Sequence, residues 1–180
     1  PDTAIEMLAR ALKLTISGRP GPVVLQVPFD IQHEIIPVEK MDPAMWILNI
    51  TNRPRPDKEA VEKAADIIRQ SKKPLVLAGG GVLNAGGCVE LQKFVEKYNL
   101  PLITSFMGKG AIPENHPLSL GPAGMCGTHQ AYMAAGECDV LIAFGARFND
   151  CHTAAWRMYA GIPDKTKLIH IDIDPEEIGR

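Results

Sequence analysis

The sequence is short of several things, and each shortage narrows the reading. Aromatic residues make up only 6% of its 180 positions. Charge of neither sign dominates, with 19 basic against 21 acidic side chains and a net charge of −2. A near-neutral chain lacks the basic footprint selected by phosphate backbones and anionic lipid surfaces, so neither nucleic acid nor a membrane is an expected partner. No apolar run nears the roughly 18 residues that a bilayer-crossing helix needs. The four cysteines, Cys88, Cys126, Cys138 and Cys151, form no C-x-x-C pair, and the five histidines lack ligand spacing. That argues against a zinc site and for free thiols, as in a cytoplasmic protein; no metal ligand is assigned in this chain. There is no G-x-x-x-x-G-K-[ST] loop, which argues against an NTPase. There is no G-x-S-x-G elbow, which argues against an α/β-hydrolase.

What is present is an ordinary globular composition, 46% apolar and 22% charged. The length suits one ordinary domain, or one domain with an appendage. The chain starts at Pro1, runs straight into a helical pattern, and ends at Arg180 just after a strand pattern. Both ends therefore read as cuts in a longer protein.

Residues 3–17 carry Ile5, Leu8, Leu12 and Ile16 at helical spacing, with Asp2 as N-cap and Gly18 as stop. The rigid Arg19-Pro20-Gly21-Pro22 turn leads into an apolar β-run, Val23 to Val27. One helix and one strand cannot close a core, so residues 1–32 read as the last unit of an upstream domain. Residues 33–56, with Pro37, Pro43, Pro54 and Pro56, read as a linker that Trp46, Ile47 and Leu48 pin to a neighbouring surface. From Asp57 onward helices are predicted at 57–70, 86–98 and 128–136, and strands at 74–78, 102–104, 139–144 and 167–173. Alternating strands and helices imply a parallel sheet of βαβ units, an α/β Rossmann-like three-layer domain over 57–180.

Ligands of such sheets sit outside the carboxyl ends of the strands. The first strand runs into Gly79-Gly80-Gly81, which is either a close-approach loop or a tight turn; Asn84 stands where a dinucleotide fingerprint needs its third glycine. The second strand leads into Thr104 to Gly110, where Lys109 could meet a phosphate or simply be solvated. The segment Gly121 to Gly127 opens a helix, and free N–H groups there would favour an anion. After the third strand comes Gly145-Ala146-Arg147-Phe148-Asn149-Asp150. Arg147 suits a pyrophosphate fork, or else a salt bridge that fixes the loop. The fourth strand ends in His170-Ile171-Asp172-Ile173-Asp174-Pro175. Asp172 could accept ribose hydroxyls, whereas Asp174 reads as a helix N-cap.

Taken in order, these segments resemble the thiamine-diphosphate enzymes of the acetolactate synthase type. The stretch Ser17 to Val23, with Val27-Pro28 and Asp30-Ile31-Gln32, is similar to the end of their pyrimidine-binding domain. Lys73 to Gly81 resembles the first strand and glycine turn of their central domain. Gly108-Lys109-Gly110-Ala111-Ile112-Pro113 with His116-Pro117, Cys138 to Asp150, and His170 to Gly179 resemble its "GKG", "GARFDD" and "HIDIDP" runs.

The resemblance implies a three-domain enzyme of branched-chain amino acid biosynthesis, homodimeric or homotetrameric, that decarboxylates pyruvate or a similar 2-oxo acid and joins the fragment to a second carbonyl. Thiamine diphosphate and Mg2+ would be held by the pyrimidine- and diphosphate-binding domains, neither of which is complete here, so the piece is expected to hold no catalytic residue and to be inactive alone. The central domain would bind FAD in a structural role, and the family positions transfer to Arg19, Gly79, Gly80, Gly81, Thr104, Gly145, Arg147, Asp150 and Asp172. Two departures stand out: Cys126 replaces the family's His, and Cys151 replaces its Arg. Loss of a cation near a dianionic pyrophosphate predicts weakened or lost FAD binding. A sister enzyme such as glyoxylate carboligase or sulfoacetaldehyde acetyltransferase fits the same piece. A non-catalytic nucleotide-binding module is the alternative from another class.

Overall fold

The computed structural model describes residues 3–37, 54–155, 157–159, 162 and 164–179. The expected packing of Trp46, Ile47 and Leu48 falls outside them. Two compact units divide between Arg55 and Pro56.

In the first unit, helix α1 (Ala4–Ile16) follows Thr3, whose side chain makes no capping bond. Ile5 is buried, while Leu8, Leu12 and Ile16 are largely exposed. A single turn, α2 (Phe29–Gln32), follows. The predicted strand at Val23 to Val27 does not form. A β-run is stable only when a neighbouring strand takes its N–H and C=O groups, and among the described residues no strand pairs with it.

In the second unit the elements alternate as the periodicity predicts. Helix α3 (Lys58–Gln70) starts where the Asp57 carboxylate accepts the Ala60 N–H at 2.9 Å. Strand β1 (Pro74–Ala78), the short helix α4 (Gly80–Asn84) and helix α5 (Cys88–Tyr98) come next. Helix α5 ends on Asn99 in the left-handed region, at φ 49°. Strand β2 (Leu102–Thr104) precedes a turn of 3-10 helix at Phe106–Gly108. Strand β3 (Ser119–Pro122) leads to helix α6 (His129–Glu137), whose N-cap Thr128 accepts the Ala131 N–H at 3.2 Å. Strand β4 (Val140–Phe144), the turn α7 (Asp150–Thr153) and strand β5 (Lys167–Ile171) complete the unit.

All five strands are parallel, in the order β3-β2-β1-β4-β5. Four strands were expected, and β3 is the addition. It has no apolar run, contains a positive-φ glycine (Gly121) and a proline, and shifts register against β2. Those features are tolerated at a sheet edge and hide a strand from pattern reading. The predicted helix start at Asp174 is also corrected: residues 175–179 form turns.

Side chains alternate across the sheet, so each strand feeds two cores. Leu75, Leu77, Leu141 and Ala143 face α6 and the segment around Phe148, Met158 and Tyr159. Val76, Ala78, Val140 and Ile142 face α5 and the half-buried Ala64, Ile67 and Ile68 of α3. Burial on both faces explains why these strands read as continuous apolar runs rather than alternating ones. Each such fully buried leucine or isoleucine contributes about 1.5–3 kcal/mol. Among the described residues no helix is long and apolar enough to cross a membrane.

Candidate functional site at the carboxyl rim of the sheet

The chain builds outward from β1 through β2 to β3, then returns to place β4 on the other side of β1. That reversal puts the topological switch point, where α/β sheets hold ligands, between the carboxyl ends of β1 and β4. Gly79-Gly80-Gly81 follows β1 at this point, and Gly145 follows β4.

These two glycine loops pack directly on each other. The Gly79 N–H donates to Phe144 C=O at 2.8 Å, and the Gly81 N–H to Gly145 C=O at 3.1 Å. A Cβ on Gly79 or Gly81 would fall 2.0 or 2.7 Å from Gly145 backbone atoms. Gly80 faces the side chain of Met107. The close approach that glycine permits is thus taken up, at Gly79 and Gly81, by protein backbone.

The other strand ends join the same rim. Ser105 N–H donates to Ala78 C=O at 2.8 Å, which seats the end of β2 and the buried Thr104 beside β1. Ser105 itself holds the next turn by accepting the Gly108 N–H at 3.0 Å. Gly145 N–H donates to Ile171 C=O at 2.8 Å, so Arg147 and Asp172 lie two residues and one residue beyond a shared hydrogen bond. Arg147 is exposed. Asp172 is half-buried and accepts the Asp174 N–H on one carboxylate oxygen at 3.0 Å. Asp174 in turn accepts the Glu176 N–H at 3.0 Å, which matches its reading as a cap although a turn follows instead of a helix. Asp150 stands exposed in the first turn of α7, one residue past the cap Asn149. Arg19 belongs to the other unit, in an exposed turn after Gly18. Lys109 pairs with Glu114 at 3.0 Å.

The Gly121 to Gly127 segment does not offer the open row of N–H groups that was expected. Ala123 N–H goes to Thr104 C=O, Met125 N–H to Cys151 C=O, Gly127 N–H to Gly124 C=O and Thr128 N–H to Pro122 C=O, all within 3.0 Å. These donors fold the loop onto β2 and α7.

Beneath the Arg147 loop lies an aromatic cluster that pattern reading did not find. Phe148 sits in the left-handed region at φ 53° and is buried. Its ring meets Tyr159 at 5.7 Å and His170 at 5.2 Å, both edge-on. His170 Nε2 lies 2.8 Å from the Ala146 carbonyl oxygen and fixes the loop from below. His152 is buried 3.4 Å from the Tyr159 hydroxyl, and burial pushes its pKa down to about 4. Burial likewise pushes the Tyr159 hydroxyl up, with a further contribution from Cys138, and lifts the Cys138 thiol to about 11. These groups are neutral at pH 7 and serve as packing.

A dinucleotide needs a cation for its diphosphate and an acceptor for its ribose. Arg147, whose guanidinium makes no hydrogen bond or ion pair among the described residues, and the second carboxylate oxygen of Asp172 fit those two needs. Magnesium is a different matter. No group of three or more His, Cys, Asp or Glu residues among those described could hold a metal.

The sheet order and the switch point define a doubly wound, Rossmann-like α/β domain. Residues 61–180 match the family described as "Thiamine pyrophosphate enzyme, central domain", and the chain belongs to that family. It is 42% identical over 182 residues to a probable acetolactate synthase large subunit of Methanocaldococcus jannaschii, covering 100% of this chain and 30% of that protein. It is 40% identical over 175 residues to the acetolactate synthase large subunit of Parasynechococcus marenigrum, covering 97% and 28%. A glyoxylate carboligase of Escherichia coli O157:H7 is 37% identical over 177 residues, covering 97% and 29%. The chain therefore spans under a third of the length of these curated relatives.

Proposed function

We propose that this chain is the central domain of an acetolactate synthase-type carboligase that acts on pyruvate or a similar 2-oxo acid. The observation that carries the reading is similarity along the whole chain to acetolactate synthase large subunits. In this reading residues 1–32 close the pyrimidine-binding domain, residues 33–56 link, and residues 57–180 form the scaffold between catalytic domains. Thiamine diphosphate, when bound with Mg2+ by the flanking domains, supplies the carbon–carbon bond chemistry. In this reading the domain's own contribution is structural, within a cytoplasmic homodimer or homotetramer.

The rim is the proposed seat of FAD. Arg147 would meet its diphosphate and Asp172 a ribose, with Thr104 and Asp150 beside them and Gly79, Gly80, Gly81 and Gly145 holding the loops. Arg19, the remaining family position, belongs to the first unit. Cys126 and Cys151 stand where the family pattern has His and Arg, which removes one full positive charge and one titratable one. Weaker flavin binding than in relatives that keep both cations follows.

The test uses the full-length protein with thiamine diphosphate and magnesium. Acetolactate formation from pyruvate is expected, with less than one flavin per chain by absorbance. The fragment alone is expected to form none. Activity on glyoxylate but not pyruvate would favour the second reading, a glyoxylate carboligase, which the 37% identity to that enzyme supports. Stoichiometric flavin would overturn the weakened-binding reading.

A further inference from the structure

We propose that Cys126 and Cys151 form a reversible dithiol–disulfide pair that ties the Gly124–Gly127 loop to α7. The two cysteines are 25 residues apart in sequence, yet their segments touch. Met125 N–H donates to the Cys151 carbonyl at 2.9 Å. A Cβ on Gly124 would lie 2.5 Å from the same carbonyl oxygen and 2.9 Å from the His152 Cα, so only a glycine loop can settle this close. Cys126 follows Met125, one Cα step of about 3.8 Å along the chain. A disulfide needs Cα atoms about 4.4–6.8 Å apart, a separation within reach of that contact. Gly124, at φ 104°, and Gly127 stand on either side of the Met125-Cys126 pair.

Accessibility separates this pair from the other thiols. Cys126 and Cys151 are both exposed, whereas Cys138 is buried and Cys88 is half-buried. Cys88 packs against the core on the α5 side of the sheet, while Cys138 lies in the core on the α6 side. The Met125 to Cys151 hydrogen bond thus puts two exposed, oxidisable residues on segments in direct contact.

The oxidant is a small disulfide such as oxidised glutathione. The thiolate of one cysteine attacks it, forming a mixed disulfide and releasing one glutathione thiolate. The second cysteine attacks the protein sulfur of that mixed disulfide and releases the other. One S–S bond is exchanged for another, and the two protons of the protein thiols end on the two glutathione thiols. The closed form would clamp the loop against α7, directly after the Arg147 to Asn149 part of the rim.

The full-length protein is equilibrated in graded ratios of reduced to oxidised glutathione, trapped by alkylation, digested, and mapped without reduction. The expected product is a linked pair of peptides bearing Cys126 and Cys151, lighter by two hydrogen atoms than the two thiols and restored by dithiothreitol. In Cys126→Ser, Cys151 is expected to retain a single glutathione, and in Cys151→Ser, Cys126 does the same. The proposal is overturned if both cysteines carry glutathione independently in the unaltered protein. It is equally overturned if either links to Cys88 or Cys138, or if both alkylate fully at every ratio.

Discussion

The carbonyl oxygen of Gly145 lies 2.0 Å from the point that a Cβ on Gly79 would occupy. The ends of β1 and β4 are therefore joined by a contact that admits no side chain and that neither backbone can vacate without losing the Gly79 to Phe144 hydrogen bond. Gly79→Ala is expected to destabilise the domain by about 3 kcal/mol, the upper range for overpacking. Gly136→Ala is the control. Gly136 lies in α6 with nothing within 4 Å of its missing Cβ, so alanine there should add up to about 1 kcal/mol. Urea unfolding of both variants measures the contrast, and equal effects would dismiss the packing account.

Asp139 clasps the other end of the same two strands. Its carboxylate accepts the Lys72 N–H at 2.6 Å and the Lys73 N–H at 2.9 Å. Partial burial raises its pKa, but these bonds and those from its own and the Val140 N–H outweigh that, leaving it below the ordinary 3.8. A carboxylate with a depressed folded pKa contributes stability that is complete above its unfolded value. That contribution is lost as pH falls through the folded value. Asp139→Ala should cost about 1.5–3 kcal/mol at pH 7 and flatten the acid limb below pH 4. Denaturation midpoints between pH 2 and pH 7 test both parts.

His152 acts over a higher window. Its pKa falls from 6.5 to about 4 because burial disfavours the imidazolium. The unfolded chain therefore binds a proton that the folded chain refuses. Stability is complete above pH 6.5 and declines as pH drops toward 4, by roughly 3 kcal/mol in all. His152→Phe keeps the ring against Phe148 and Tyr159 and removes the titration. Its stability should be level between pH 6.5 and pH 4 even if its absolute value is lower. An unaltered slope in this variant would place the titration elsewhere.

Arg147 makes a prediction of the opposite kind. An exposed guanidinium without a partner among the described residues contributes little to folding, so Arg147→Ala should shift stability by less than about 0.5 kcal/mol. If it meets the diphosphate, loss of a charge-assisted bond should weaken ADP binding to the full-length protein roughly ten-fold or more. Calorimetry reads the affinity and thermal unfolding reads the stability. Unchanged ADP affinity would remove Arg147 from the binding set.

Local pattern alone placed most of the second unit. The helices at 57–70 and 128–136 were legible because helical periodicity is local, and the structure adds the caps Asp57 and Thr128 at their starts. The strands at Leu75 and Leu141 announce themselves because burial on both faces demands unbroken apolar runs. Strand β3 escaped notice because an edge strand with Gly121 and Pro122 is defined by its neighbour β2 and not by its own residues. The opposite error at Val23 to Val27 has the same cause: apolar β-formers make a strand only where another strand pairs with them.

The site divides along the same line. Order along the chain is enough to say which residue types stand after each strand, and so that Arg147 and Asp172 follow β4 and β5. Packing alone settles that Gly79 and Gly81 close on Gly145, that the Gly124 loop gives N–H groups to β2 and α7, and that the Met125 N–H next to Cys126 reaches the Cys151 carbonyl. Those outcomes depend on backbone contacts between segments far apart in the chain. A residue's chemistry is written at its own position, whereas the partner that uses it is chosen by packing.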